Sequence, residues 1–142
     1  MTSETDPAEL MPPYDVIAPA EQSAPFVFCS PHSGRTYTAA FLAQSRLDPL
    51  SLRKSEDGFV DLLFEGVASL GAPLIAARFP RAYVDANREP FELDPTLFVE
   101  SLPDFANSQS ACVVGGLVSI SRFVAVGVVI YVGRLRLADA LA

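Results

Sequence analysis

Apolar residues along this chain come in short runs broken by proline and glycine. Phe26-Val27-Phe28-Cys29, bounded by Pro25 and Pro31, has the length and composition of a buried strand. It runs into Ser30-Pro31-His32-Ser33-Gly34-Arg35, a string of turn formers. Asp48-Pro49 predicts a helix start, a capping side chain followed by proline at the first helical position. Beyond Asp57, Val60, Leu63, Phe64 and Val67 fall on one helical face, and Gly71 is a suitable terminator. Pro73 to Phe79 reads as a second buried strand. Residues 26–79 thus predict strand, helix, strand, the pattern of a parallel α/β unit. Ligands of open parallel sheets gather at the carboxyl ends of strands. His32 follows the first strand and Arg81 the second.

The rest of the chain is less regular. Residues 80–107 are punctuated by proline, with a short strand expected at Ala82–Asp85 and turns around Pro90 and Pro95 formed by Glu92 and Asp94. Residues 112–133 are almost wholly apolar, rich in valine and glycine, with Arg122 the single charge. A membrane span needs about 20 apolar residues. The unbroken part, Phe123 to Gly133, is shorter, and Arg122 would cost about 2.5 kcal/mol or more at a bilayer centre. A buried helix or strand is the better expectation. At the other end, residues 1–24 carry Glu4, Asp6, Glu9, Asp15 and Glu21 and no base, and read as an acidic, irregular leader, with Val16 and Ile17 suited to a short edge strand.

Composition narrows the class. Half of the 142 residues are apolar and 19% charged, which suits a packed domain. Seventeen acids against ten bases give a net charge of −7, the wrong sign for a general nucleic-acid or anionic-lipid binder. The two cysteines, Cys29 and Cys112, cannot form a disulfide framework; each sits among apolar residues, as reduced buried thiols do. The first residues show neither a basic start nor an apolar signal core. A cytoplasmic protein is the resulting expectation.

His32 is the only histidine, so any imidazole chemistry must use it. Its Pro-His-Ser-Gly turn could present one ring nitrogen to a metal, or simply bond it to backbone. Glu56 and Asp57 stand where a carboxylate could share a cation with it, and imidazole plus carboxylate suits zinc. Asp57, Asp61 and Glu65 are four apart, which would stack them along a helix, a solvated acidic stripe on the simpler reading. The densest polar cluster runs from Arg81 through Asp85, Asn87 and Arg88 to Pro90. Arginine grips carboxylates through its planar fork. Asp85 could instead neutralise Arg81 or Arg88, leaving one arginine structural and one for substrate.

These pieces, Ser30 to Arg35, Ser55-Glu56-Asp57-Gly58-Phe59-Val60-Asp61, Leu70-Gly71-Ala72-Pro73, Phe79 to Pro90 and Glu92-Leu93-Asp94-Pro95, together resemble the N-formylglutamate amidohydrolase (N-formylglutamate deformylase) family, in order and spacing over residues 25–110, with the match fading beyond. The resemblance implies an α/β fold: a partial sandwich with a mixed or parallel sheet, similar to the zinc carboxypeptidase/aspartoacylase-like fold and incomplete, with residues 25–142 forming its N-terminal part. It implies zinc-dependent hydrolysis of N-formyl-L-glutamate, or a similar small N-acyl amino acid, to formate and glutamate. On that resemblance His32 would be a zinc ligand, and Asp57, or else Glu56, the second. Asn87 and Arg88 would hold the substrate carboxylate, and Arg81 would steady the oxyanion. Family members are longer, and their second half supplies another histidine as third ligand. The other expectation is accordingly a truncated, non-catalytic remnant that binds an acidic ligand, or a partner supplying the missing half, and that self-associates through residues 112–132.

Overall fold

The computed structural model describes residues 7–141. Its sheet has three strands, β1 (Tyr14–Ile17), β2 (Phe28–Ser30) and β3 (Leu74–Ala77), in the order β1-β3-β2. Central β3 runs parallel to β2, with Phe28 opposite Leu74, and antiparallel to β1, with Tyr14 opposite Ala77. The parallel pair predicted across residues 26–79 is present, and Val16 and Ile17 do lie on an edge strand. The strand predicted from Phe26 begins only at Phe28, and Phe26 and Val27 are exposed. Cys29 is exposed as well, contrary to the expectation of a buried thiol, while Cys112 is half-buried; both are free.

Helices are short. α1 (Ala39–Gln44) is capped by the Thr38 side chain, which accepts from the Phe41 amide. α2 (Pro49–Leu52) starts as Asp48-Pro49 predicts, the Asp48 carboxylate accepting from the Ser51 amide. α3 (Val60–Phe64) tightens into a 3₁₀ turn over Glu65–Leu70, which ends at Gly71 with φ 83°. That change of pitch breaks the predicted apolar face. Val67 is buried against Ala72 and Leu74, whereas Leu63 faces solvent. It also undoes the acidic stripe: Phe59 (φ 65°) turns the chain before α3, so Asp57 lies outside the helix.

The principal core lies off the sheet. Phe41, Leu52, Ala82, Leu93, Leu97, Phe98, Ile130 and Tyr131 are its buried members. Most come from the proline-punctuated and C-terminal segments. Ala82–Asp85 is a turn, not the expected strand: the amides of Tyr83 and Val84 both point back to the Pro80 carbonyl. Tyr83 then packs edge-on against Phe41, ring centroids 5.3 Å apart. Asp94 caps the turn Pro95–Leu97, as predicted, but Glu92 is buried and accepts from the Ser110 hydroxyl at 2.7 Å.

Residues 112–133 are neither a buried helix nor a buried strand. α4 (Ala111–Val114) is a single turn, and β4 (Phe123–Ala125) pairs with β5 (Val128–Val129) in a small hairpin. Val118, Ile130 and Tyr131 are buried; Val114, Val126 and Val132 are exposed. A final turn, α5 (Leu137–Ala140), closes the described chain. Among the described residues no helix is long and apolar enough to cross a membrane.

Candidate active site

His32 sits at the carboxyl end of β2, in the turn that Pro31 and Gly34 allow. Gly34 has no room for a side chain: a Cβ there would lie 2.0 Å from the Phe79 carbonyl oxygen. This close approach presses the turn against the exit of β3. The Thr36 amide seals it with a bond to the Arg78 carbonyl. Both chain segments that carry polar groups therefore leave the sheet side by side.

The imidazole is buried and held at both nitrogens. Nε2 lies 2.7 Å from Oδ1 of Asp85, and Nδ1 lies 3.1 Å from Oδ2 of Asp57. A neutral imidazole has one N–H to donate. One of the two contacts then sets a lone pair against a carboxylate, an arrangement that a second proton or a cation between the two groups satisfies.

Asp85 collects positive charge. Besides His32, it accepts from the Asn87 amide at 3.0 Å and Arg81 Nε at 3.1 Å, and Arg88 Nε lies 3.7 Å away. Burial opposes ionisation of Asp85, but the bonds from His32 and the Asn87 amide, with Arg81 alongside, outweigh it and hold the carboxyl below its ordinary range. Arg81 is thus hydrogen-bonded to this carboxylate, whereas Arg88 is only ion-paired with it, its buried Nε without a hydrogen-bond partner. The Arg88 head group also reaches towards Cys112, its Nη1 4.0 Å from Sγ.

Asp57 is placed through its backbone. Its amide donates to the His32 carbonyl at 3.0 Å, and its carbonyl accepts from the Ser33 hydroxyl at 2.8 Å. Ser33 also contacts the Ser30 hydroxyl and accepts from the Asp61 amide. Those serines bond one another and the backbone, not the imidazole. Arg35 adds a bidentate pair to Asp61, at 3.1 and 2.8 Å. Glu56 points elsewhere: it accepts from the Tyr37 hydroxyl at 2.6 Å and Arg53 Nε at 3.1 Å. Burial and the neighbouring Glu56 push the Tyr37 hydroxyl well above its ordinary pKa.

Asp57, Glu56, Arg81 and Asp85 line an open cavity of about 610 Å³, walled on the far side by Phe123 to Gly127 of the hairpin. Asn87 and Arg88 are not among its lining residues. The 3.1 Å between His32 Nδ1 and Asp57 Oδ2 is a hydrogen-bond distance, and it also lies near the roughly 3.3 Å that two ligands of one tetrahedral ion subtend, so the donor types and spacing are compatible with two of the ligands of a zinc ion. Asp85 stands behind the ring, where a carboxylate orients a metal-bound histidine. Among the described residues there is no group of three or more His, Cys, Asp or Glu side chains poised to hold a metal. By sequence alone Asp85 reads as a partner for arginine; its bond to His32 depends on how the Pro80 turn aims it, which no local residue pattern signals.

The sequence profile of the N-formylglutamate amidohydrolase family matches residues 24–142. The chain belongs to that family. The match continues through the C-terminal segment where the resemblance was expected to fade. A crystal structure of an N-formylglutamate amidohydrolase from Ralstonia eutropha JMP134 is similar, with a TM-score of 0.79 and 33% identity, over 91% of this chain and 45% of that one. The chain spans less than half the length of that amidohydrolase. A search of curated proteins finds no match.

Proposed function

We propose that this chain carries the amino-terminal part of a zinc-dependent amidohydrolase site for N-formyl-L-glutamate or a similar N-acyl amino acid. The observation that supports it most is the buried His32 ring held between Asp57 and Asp85, two carboxylates that line an open cavity while the ring itself does not. His32 and Asp57 would hold zinc. When bound, the metal supplies Lewis acidity at the amide carbonyl and an activated water. Asp85 holds Nε2, which leaves Nδ1 beside Asp57. Arg81, with its guanidinium on Asp85 and about a third exposed, would favour negative charge developing on the amide oxygen. Arg88 and Asn87 are the expected grip for the substrate carboxylate. Here Arg88 is ion-paired with Asp85 at 3.7 Å and neither it nor Asn87 lines the cavity, so that role requires them to turn towards it.

The test is zinc content together with formate release. Purified chain is expected to bind one zinc, lost in His32→Ala and Asp57→Asn but retained in Glu56→Gln, whose carboxylate is taken by Tyr37 and Arg53. Loss of zinc in Glu56→Gln with retention in Asp57→Asn would exchange their roles. Folded protein that binds no zinc and releases no formate would leave the second reading, a remnant that binds acidic ligands.

A further inference from the structure

Three arginines meet at a place the amidohydrolase chemistry does not use. Arg46, Arg122 and Arg134 line one cavity of about 340 Å³ with Thr96 and Tyr131. No carboxylate lines it, and it shares no lining residue with the active-site cavity. Of the other arginines, Arg35 pairs with Asp61, Arg53 with Glu56, Arg81 and Arg88 with Asp85, and Arg136 with Glu100, while Arg78 donates to the Pro12 carbonyl. Among the described residues, Arg46, Arg122 and Arg134 have no ion-pair partner. In a chain of net charge −7, three arginines without a carboxylate partner around one concavity make a local positive potential that favours an anion.

We propose that this cavity is a binding site for a small oxyanion-bearing molecule. Its volume is in the range that holds a small ligand. The Arg122 head group is fixed at the wall, where its Nη1 donates to Thr96 Oγ1 at 2.9 Å while that hydroxyl donates to Asp94 Oδ1 at 2.7 Å. Asp94 is occupied by Thr96 and does not line the cavity. A guanidinium fixed in this way can offer its remaining N–H groups to phosphate or carboxylate oxygens. Arg46 and Arg134 are exposed and bring the charge that selects an anion. The site backs onto the active-site wall: Ser121 and Phe123 line the catalytic cavity and Arg122, between them, lines this one.

Isothermal titration of the full chain with pyrophosphate, inorganic phosphate and glutamate, at constant ionic strength, tests this. Saturable binding of at least one is expected, and the tighter of pyrophosphate and glutamate assigns the phosphoryl or carboxylate source. Arg134→Gln and Arg46→Gln, both at exposed positions that preserve the fold, are each expected to weaken it about tenfold, the worth of one charge-assisted bond. Arg136→Gln, which removes a paired arginine, is expected to leave it unchanged. Absence of saturable binding, equal weakening by Arg136→Gln, or binding lost in Arg81→Gln and kept in Arg134→Gln would each overturn the proposal, the last by moving the anion to the active site.

Discussion

The imidazole of His32 and the carboxylate of Asp85, 53 residues further along the chain, meet at 2.7 Å, and this buried bond joins the two loops that leave the parallel strands. Several of the site's polar groups gather on it. Asp85 is the acceptor for His32, for the Asn87 amide and for Arg81, with Arg88 close by.

Asp85→Ala is therefore expected to leave several donors without an acceptor. Breaking a buried ion pair by deleting one partner costs about 3 kcal/mol or more; partial water access at Arg81 and Arg88 brings the expectation to about 2–3 kcal/mol. Asp85→Asn, which keeps an acceptor oxygen, is expected to lose less. Urea unfolding of the two variants is the measurement, and a loss in the alanine variant of under about 0.5 kcal/mol, as for an ordinary surface position, would remove Asp85 from the centre of the network.

Two glycines should behave in opposite ways. At Gly34 an added Cβ meets the Phe79 oxygen at 2.0 Å and the Arg78 carbonyl carbon at 2.6 Å, both backbone. Gly34→Ala is expected to destabilise by about 2 kcal/mol or more, in the range of overpacking. At Gly66 nothing lies within 4 Å of an added Cβ. Gly66→Ala is expected to be neutral or to stabilise by about 0.5 kcal/mol through the unfolded chain. Thermal melts of the pair decide it; equal melting points would mean that the turn does not press on β3.

Acid sensitivity has a local component at α2. The hydrogen bonds from the Ser51 hydroxyl and amide hold the Asp48 carboxyl below its ordinary value of 3.8. A carboxyl lowered in the folded state contributes stability above its unfolded pKa and loses it as pH falls through the folded one. Wild type is expected to exceed Asp48→Asn in stability at neutral pH, with the gap closing below pH 3.8. Denaturation midpoints at neutral and acid pH check the sign, and a gap that widens in acid contradicts it.

The parts of the fold legible in the sequence were those with local causes. Asp48-Pro49 and Asp94-Pro95 cap their turns because the side chain and the ring act within three residues. The parallel pairing of β2 and β3 followed from apolar runs separated by a helix-length segment. The helix α1 was missed although Thr38 carried a capping signal ahead of Phe41. The main core was missed because Leu93, Leu97 and Phe98 sit in irregular chain without a period to betray them. Residues 112–133 differ for the opposite reason: valine raises hydropathy, yet Val126 sits at the exposed tip of a short hairpin and Val132 lies beyond it. At the site, His32 and Asp57 were recognisable from their turn and loop. Asp85 was not, because two arginines beside it in sequence already account for a carboxylate.

The stitching between the His32 turn and the Asp57 loop has a consequence for metal affinity. The Asp57 amide on the His32 carbonyl and the Ser33 hydroxyl on the Asp57 carbonyl tie the two donors' own peptide groups together. The two backbones are accordingly held together before any ligand arrives. For the metal role proposed above, much of the entropic toll of bringing that edge together would fall on folding, not on uptake of an ion.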